Sequence, residues 1–160
     1  GIDAYKKVLR ENPEDLQSLY QIAENYYAIS QPDLSTNYCD SLLTINDCHL
    51  KGLNLKGVIQ MNEGQVNTAI NYFTMAINCS NYYIDAYINR SLMYLKQGRN
   101  KEALGDADKA ISIDDKSGLA YLIRAQIKTN LDDASACKDL DQSIALGMSV
   151  SEEQRKLICK

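Results

Sequence analysis

Any chemistry in this chain has to start from a small set of reactive side chains. His49 is the one histidine, and it stands directly after Cys48. A cysteine–histidine pair becomes nucleophilic when the imidazole takes the thiol proton and a third group holds the imidazole in place. Neighbours in sequence usually point in different directions, and no orienting third group is legible, so His49 is expected at a helix end or turn. The acidic pairs Asp114-Asp115 and Asp132-Asp133 lack the ligand spacing of a cation loop. They fall where helices join, and carboxylates at such places accept from backbone N–H groups. Gly64-Gln65 and Gly98-Arg99 are single glycines between helical stretches, where glycine supplies a positive φ rather than a phosphate cradle. Asn78-Cys79-Ser80 and Asn89-Arg90-Ser91 match the glycosylation pattern but lie in helical stretches of an Asn-rich chain. No catalytic residue, metal site or cofactor is expected, and the chain is read as a non-enzyme.

Cys39, Cys48, Cys79, Cys137 and Cys159 are odd in number and contain no C-x-x-C pair. Neither a disulfide framework nor a zinc site is indicated. Free, mostly buried thiols are the expectation, which favours a reducing, cytoplasmic setting over an oxidising one.

The elements that would position these residues are helical. Eleven Tyr, one Phe, no Trp and only two Pro accompany abundant Asn, Leu, Ile and Ala. Hydrophobic residues make up 45%, charged residues 24%, and the net charge is 17 − 21 = −4. There is no basic stripe to neutralise phosphates, so nucleic acid is not expected as a partner. No apolar run approaches the ~20 residues of a membrane helix, so no membrane insertion is expected. No targeting segment is visible. The chain starts inside a helical pattern, at Gly1-Ile2-Asp3-Ala4-Tyr5.

The best-formed stretch is 84–117, a helix–turn–helix unit. Its first half puts Tyr87, Arg90, Ser91, Tyr94 and Leu95 at helical spacing and ends at Gly98. Its second half does the same with Ala103, Ala107, Ala110 and Ile111. Small residues among large ones let two helices approach closely. A unit this short cannot bury its own faces and needs like neighbours. Shifting by 34 residues finds them. One step back, Lys56-Gly57, Gly64, Ala69, Phe73 and Ala76 fill the slots of Arg90-Ser91, Gly98, Ala103, Ala107 and Ala110. A second step back reaches Ile22-Ala23, Tyr26, Ser35, Cys39 and Leu42. One step forward reaches Tyr121, Arg124-Ala125, Ala136, Leu140 and Ser143, with one residue lost near Leu131-Asp132-Asp133.

With these residues in register, the chain resembles the tetratricopeptide repeat (TPR) family over essentially its whole length. The middle units match best, through Gly57, Gly64, Ala69, Phe73 and Ala76, then Tyr87, Tyr94, Gly98, Ala103 and Ala110. The chain departs from the family at Leu19 and Leu53, which stand where the family has an aromatic, at Ser35 for Ala, and at Lys128 for Tyr. The resemblance implies an all-α, right-handed superhelical solenoid of antiparallel helix pairs. Residues 1–15 are expected to be the second helix of a truncated preceding repeat. Repeats should follow at 16–49, 50–83, 84–117 and 118–150, then a capping helix at 151–160. The expected helices are 2–11, 15–29, 33–46, 50–63, 67–79, 84–97, 101–113, 118–130, 133–145 and 151–159.

In the family the first helix of each pair builds the inner, concave face. Carried over, that face holds Tyr20, Glu24 and Tyr27, then Asn54, Leu55, Val58 and Met61, then Ile88, Asn89 and Leu92, and finally Leu122, Ile123 and Gln126. Amides donate to and accept from a peptide backbone without demanding a charge, and adjacent aliphatic groups receive apolar side chains. The expected function is a protein-interaction scaffold that binds a peptide or partner surface in its groove. The alternative is a structural or regulatory segment of a larger protein, self-associating through an uncapped N-terminal end. The family's clamp for chaperone C-termini needs Lys, Asn, Asn, Lys and Arg. One register here holds Tyr20, Glu24, Leu55, Asp85 and Asn89, and the next holds Asn54, Val58, Asn89, Leu119 and Ile123. Without a cation two carboxylates would be desolvated uncompensated, so chaperone tails are not the expected ligand.

Overall fold

The computed structural model describes residues 1–159. Among them are ten α-helices and no strand. The chain divides into two compact units, Gly1–Asn81 and a second from Tyr82 onward. The first contains α1 (Ile2–Glu11), α2 (Leu16–Ala28), α3 (Pro32–Ile45), α4 (Leu50–Asn62) and α5 (Val66–Cys79). The second contains α6 (Ile84–Lys96), α7 (Asn100–Ile113), α8 (Gly118–Asn130), α9 (Ala136–Ala145) and α10 (Glu152–Ile158). In the first unit α2 pairs with α3 and α4 with α5, α1 lies against α2, and α3 against α4. In the second α6 pairs with α7 and α8 with α9, α7 lies against α8, and α10 rests on α8 and α9.

Four kinds of slot recur at the 34-residue spacing and explain why the pairs form. The first is the N-cap. Asp15, His49 and Ser117 accept from the backbone N–H of Ser18, Gly52 and Ala120, and the same slot in α6 is Tyr83, without a side-chain cap. His49 is thus a helix cap, as expected of a turn residue, with Nδ1 accepting at 3.1 Å. The second is the turn inside each pair, where Ser30, Gly64, Gly98 and Asp132 have φ of 60°, 77°, 72° and 55°. The left-handed residue lets the next N–H reach back to a carbonyl of the last helical turn, as Arg99 N does to Tyr94 O.

The third slot is the close approach within a pair. Facing residues are Ala23 and Ser35, Gly57 and Ala69, Ser91 and Ala103, and Ala125 and Ala136, all buried. Ser35 Oγ donates to Ala23 O, and Ser91 Oγ donates to Ala103 O, both at 2.8 Å. Serine thus stands on opposite helices of the two pairs and makes the same bond. That explains why Ser35 substitutes for alanine without an orphaned hydroxyl. The fourth slot is cationic. Arg90 grips Asp106 through Nε and Nη2 at 2.7 and 2.8 Å. Arg124 grips Asp139 in the same manner, at 2.7 Å through both nitrogens, and adds Asp108 on α7 at 2.8 Å through Nη1. In α4 the slot holds Lys56, which pairs with Asp40 on α3 and lies over the Tyr72 ring.

Most helix bounds fall within two residues of the sequence expectation. The exception is α9, which begins at Ala136 rather than 133. Asp133 Oδ1 accepts from Ser135 N, an Asx turn that holds 133–135 out of the helix.

The expectation of free thiols is overturned. Cys48 and Cys79 form a disulfide with Cα atoms 5.5 Å apart, and Cys137 and Cys159 form another at 4.7 Å. Only Cys39 is free, and it is buried. Burial pushes its thiol up to about 12, so it is unreactive near neutral pH. Each bond lies within one unit. The first joins the turn before α4 to the end of α5, and the second joins α9 to the residue after α10. Disulfides form and persist in oxidising settings, so the cysteines no longer favour a reducing compartment.

Candidate functional site

The thirteen residues assigned to the inner face sit on α2, α4, α6 and α8, and their burial divides them. Leu55, Ile88 and Ile123 are interior, only 8%, 7% and 2% exposed. Leu55 shares a stripe of α4 with Ile59, one turn on, and packs with Ala23 and Cys39. Ile123 and Ile127 form the same one-turn pair on α8, and both are buried. These three side chains support the faces and do not present to a ligand, which corrects the sequence assignment at those positions. The aliphatic run of each first helix spans more than one face, so the family register alone does not separate lining from core.

In the first unit Tyr20, Tyr27, Asn54, Val58 and Met61 are half-buried and Glu24 is exposed. Tyr20 Oη donates to Glu24 at 2.9 Å, and Gln21 donates to the other carboxylate oxygen at 3.1 Å. The Tyr20 ring also lies against His49 and beneath the Lys51 ammonium. Asn62 on α4 donates to Tyr27 Oη on α2 at 2.5 Å, tying the two helices together. Beside this bond Tyr27, Ala28, Ser30, Pro32 and Ile59 line an open cleft of about 480 Å³. Tyr20 and Tyr27 also pack on the core cluster, so their rings are fixed at both ends.

In the second unit Asn89, Leu92, Leu122 and Gln126 are half-buried. Leu122 leans on the cluster of Ala125, Ala136, Leu140 and Ile158. Gln126 joins Leu95, Thr129 and Asn130 in a cleft of about 310 Å³ whose far wall is α10. The sequence reading expected this helix as a cap and did not assign it to a cleft wall. The helix starts, as expected, at Ser151-Glu152-Glu153, where a capping box forms: Ser151 Oγ accepts from Gln154 N while Gln154 Oε1 accepts from Ser151 N.

The acidic pairs are turn-formers. Asp114 accepts from Lys116 N and Asp133 from Ser135 N. Asp139 is buried between Arg124 and Lys128. Burial alone would raise its carboxyl, but hydrogen bonds from those two cations hold it below the usual range. His49 is shifted below its ordinary value, by burial first and by the nearby Lys51 charge.

A helical array with these recurring caps, turns and close approaches is the architecture of tetratricopeptide repeats, and the comparisons agree. The family model described as "Tetratricopeptide repeat" matches residues 84–117. Human DnaJ homolog subfamily C member 7 is 30% identical over 91 residues, 56% of this chain and 18% of that protein. The chain therefore spans less than a fifth of the length of the curated relatives it matches. The crystal structure of MamA aligns with a TM-score of 0.78 at 23% identity, covering 91% of this chain and 85% of that one. A thermophilic TPR protein of Thermus thermophilus aligns with a TM-score of 0.72 at 19% identity, covering 82% and 74%. The chain is all-α and has the fold of tetratricopeptide-repeat structures, and residues 84–117 match the repeat itself. No helix among the described residues is long and apolar enough to cross a membrane.

Proposed function

We propose that this chain is a non-enzymatic protein-interaction scaffold, and that a peptide or partner surface binds along the first helices of its pairs. The observation that carries the reading is the make-up of those faces once the buried residues are set aside. Tyr20, Glu24, Tyr27, Asn54, Val58 and Met61 remain in the first unit, and Asn89, Leu92, Leu122 and Gln126 in the second. Aromatic and aliphatic groups alternate with amides, and Glu24 is the one ionised side chain in either set. Such a face satisfies a peptide backbone and receives apolar side chains without desolvating charges. The tyrosine hydroxyls are already fixed on Glu24 and Asn62, so little side-chain entropy remains to be lost on binding.

The test is capture of interacting proteins from a matching cell extract by the wild type, Val58→Asp, Leu92→Asp and a control, Ser41→Asp, on an exposed position of α3. Partners should be lost with the two face variants and kept with the control, at unchanged helicity by circular dichroism. Equal capture by all four refutes the assignment. Unfolding of Leu92→Asp would place that residue in the core. Light scattering on the same proteins reports self-association, the competing role.

A further inference from the structure

The C-terminal helix α10 does more than cover the end of the second unit. It has seven residues, too few for a stable helix on its own. Three things hold it: burial of Ile158 among Ala125, Ala136 and Leu140, the Arg155–Asp141 ion pair, and the Cys137–Cys159 disulfide one residue after Ile158. Held there, α10 keeps Leu157 57% exposed, a large apolar group standing in solvent.

Leu157 stands between two clefts of different chemistry. On one side lies the 310 Å³ cleft shared with Leu95, Gln126, Thr129, Asn130 and Gln154, all uncharged. Thr129 donates its hydroxyl proton to Ala125 O, and Gln154 Oε1 is engaged in the capping box. Thr129 thus offers an acceptor there and Gln154 a donor, the pair of functions an extended backbone needs. On the other side lies a cleft of about 250 Å³ carrying Asp132 and Asp133. Thr129, Leu157 and Ile158 line both, so the two clefts adjoin across these residues.

We propose that α10, fixed by the Cys137–Cys159 disulfide, forms the central wall of a docking site for an extended partner segment. That segment places an apolar side chain in the neutral cleft and, a short spacing away, a Lys or Arg against Asp132 and Asp133. The charge of the second cleft selects this occupant, because a carboxylate there would face two others, whereas a cation is paired. This rests on the scaffold reading above and narrows it to one end of the second unit.

The test is a titration of the full chain, followed by backbone amide shifts, with three blocked peptides: acetyl-Gly-Leu-Gly-Lys-Gly-amide, its Lys→Glu form and its Leu→Gly form. The first should bind saturably, shifting Leu95, Gln126, Asp132 and Leu157, and should bind about tenfold more tightly than either other. Leu157→Asp, on an exposed position, should abolish those shifts. Asp132→Lys with Asp133→Lys should invert the preference toward the Glu peptide. Cys137→Ser with Cys159→Ser should weaken binding while the helical signal of α6–α9 persists. Equal affinities for the three peptides overturn the proposal, as does full binding by the cysteine variant. Shifts confined to Asn89 and Leu92 overturn it while leaving the scaffold reading intact. A dimer by light scattering that Leu157→Asp dissolves assigns the face to a second copy and also overturns it. No shift with any peptide sinks this site alone, since the scaffold reading is judged by its own capture experiment.

Discussion

Gly57 and Phe73 offer the sharpest test of how the helix pairs are matched. A methyl group built on Gly57 would lie 2.4, 2.7 and 2.8 Å from Cε1, Cδ1 and Cζ of the Phe73 ring. Carbon atoms in contact prefer ~3.5–4.0 Å, so the ring would have to retreat by about 1 Å. It has nowhere to go, since Phe73 is 0% exposed. Overpacking of this kind costs ~1–3 kcal/mol. The higher helix propensity of Ala offsets about 1 kcal/mol of that. Gly57→Ala is therefore expected to destabilise by about 0–2 kcal/mol in net, with Tm lowered by up to about 8 °C for a chain of this size. The pattern across the pairs supplies the rescue. Ala125 and Leu140 occupy the same two slots on α8 and α9 and pack in one cluster, as Ala23 and Cys39 do on α2 and α3. In a Phe73→Leu background, Gly57→Ala recreates the Ala/Leu combination, so the clash should vanish and the propensity gain of up to about 1 kcal/mol should show. Urea unfolding of the four proteins, read by circular dichroism, should give a coupling of roughly 1–3 kcal/mol. Additivity within about 0.5 kcal/mol would refute the idea that bulk is traded between these slots.

Ser30→Gly and Asp132→Gly place glycine where φ is 60° and 55°. Each should stabilise by roughly 0.5–1 kcal/mol, measurable as a raised urea midpoint, whereas the same change at half-buried Thr36 within α3 should destabilise. Among the described residues Ser143 Oγ is buried without a hydrogen-bond partner, in the slot that holds Ala76 and Ala110 elsewhere. Ser143→Ala should therefore be neutral or stabilising by up to about 1–2 kcal/mol, and a loss of that size would reveal a hidden partner. His49 caps α4 only as neutral imidazole, and its folded value lies below the unfolded 6.5. Between those two values the unfolded state binds more protons, so the cap's contribution is complete above pH 6.5 and declines as pH falls through the window. Thermal scans from pH 8 down should show this slope, and His49→Asn, which caps without titrating there, should flatten it.

Much of this fold was legible because each slot repeats. A single Gly98 says little, but Ser30, Gly64, Gly98 and Asp132 at one spacing identify a backbone conformation. The spacing that marked the turn also located the helix ends, since the cap slot of Asp15, His49 and Ser117 repeats with it. What failed was non-repeating. The late start of α9 follows from one deleted residue and an Asx turn at Asp133, and no other repeat predicts it. The disulfides join positions that no two units share, so neither the count of five nor their scatter revealed the pairing. On the faces, register identified the helix surface but not its depth. Leu55 and Ile123 lie inside because each extends by a turn the stripe of Ile59 and Ile127, whereas α6 has Asn89, half-buried, one turn before the buried Met93.

The cationic slot shows why the faces are nearly uncharged in a chain that is 24% charged. Arg90, Arg124 and Lys56 sit on first helices, the ones that carry the candidate faces. Each points instead toward a second helix. Arg124 reaches Asp139 within its own pair and Asp108 on α7, so one side chain fixes both neighbours of α8. Lys56 reaches back to Asp40 on α3, the same relation as that of Arg124 to Asp108 two repeats later. Breaking such a partly buried pair leaves a stranded charge and costs more than its formation gains, so the cations set spacing and register more than bulk stability. Because those charges are engaged between helices, the opposite surface of the same helices is left to tyrosines, amides and aliphatic groups. On the proposed reading, recognition there depends on shape and hydrogen bonding. Formal charge re-enters beside α10, at Asp132 and Asp133 in the turn that joins α8 to α9.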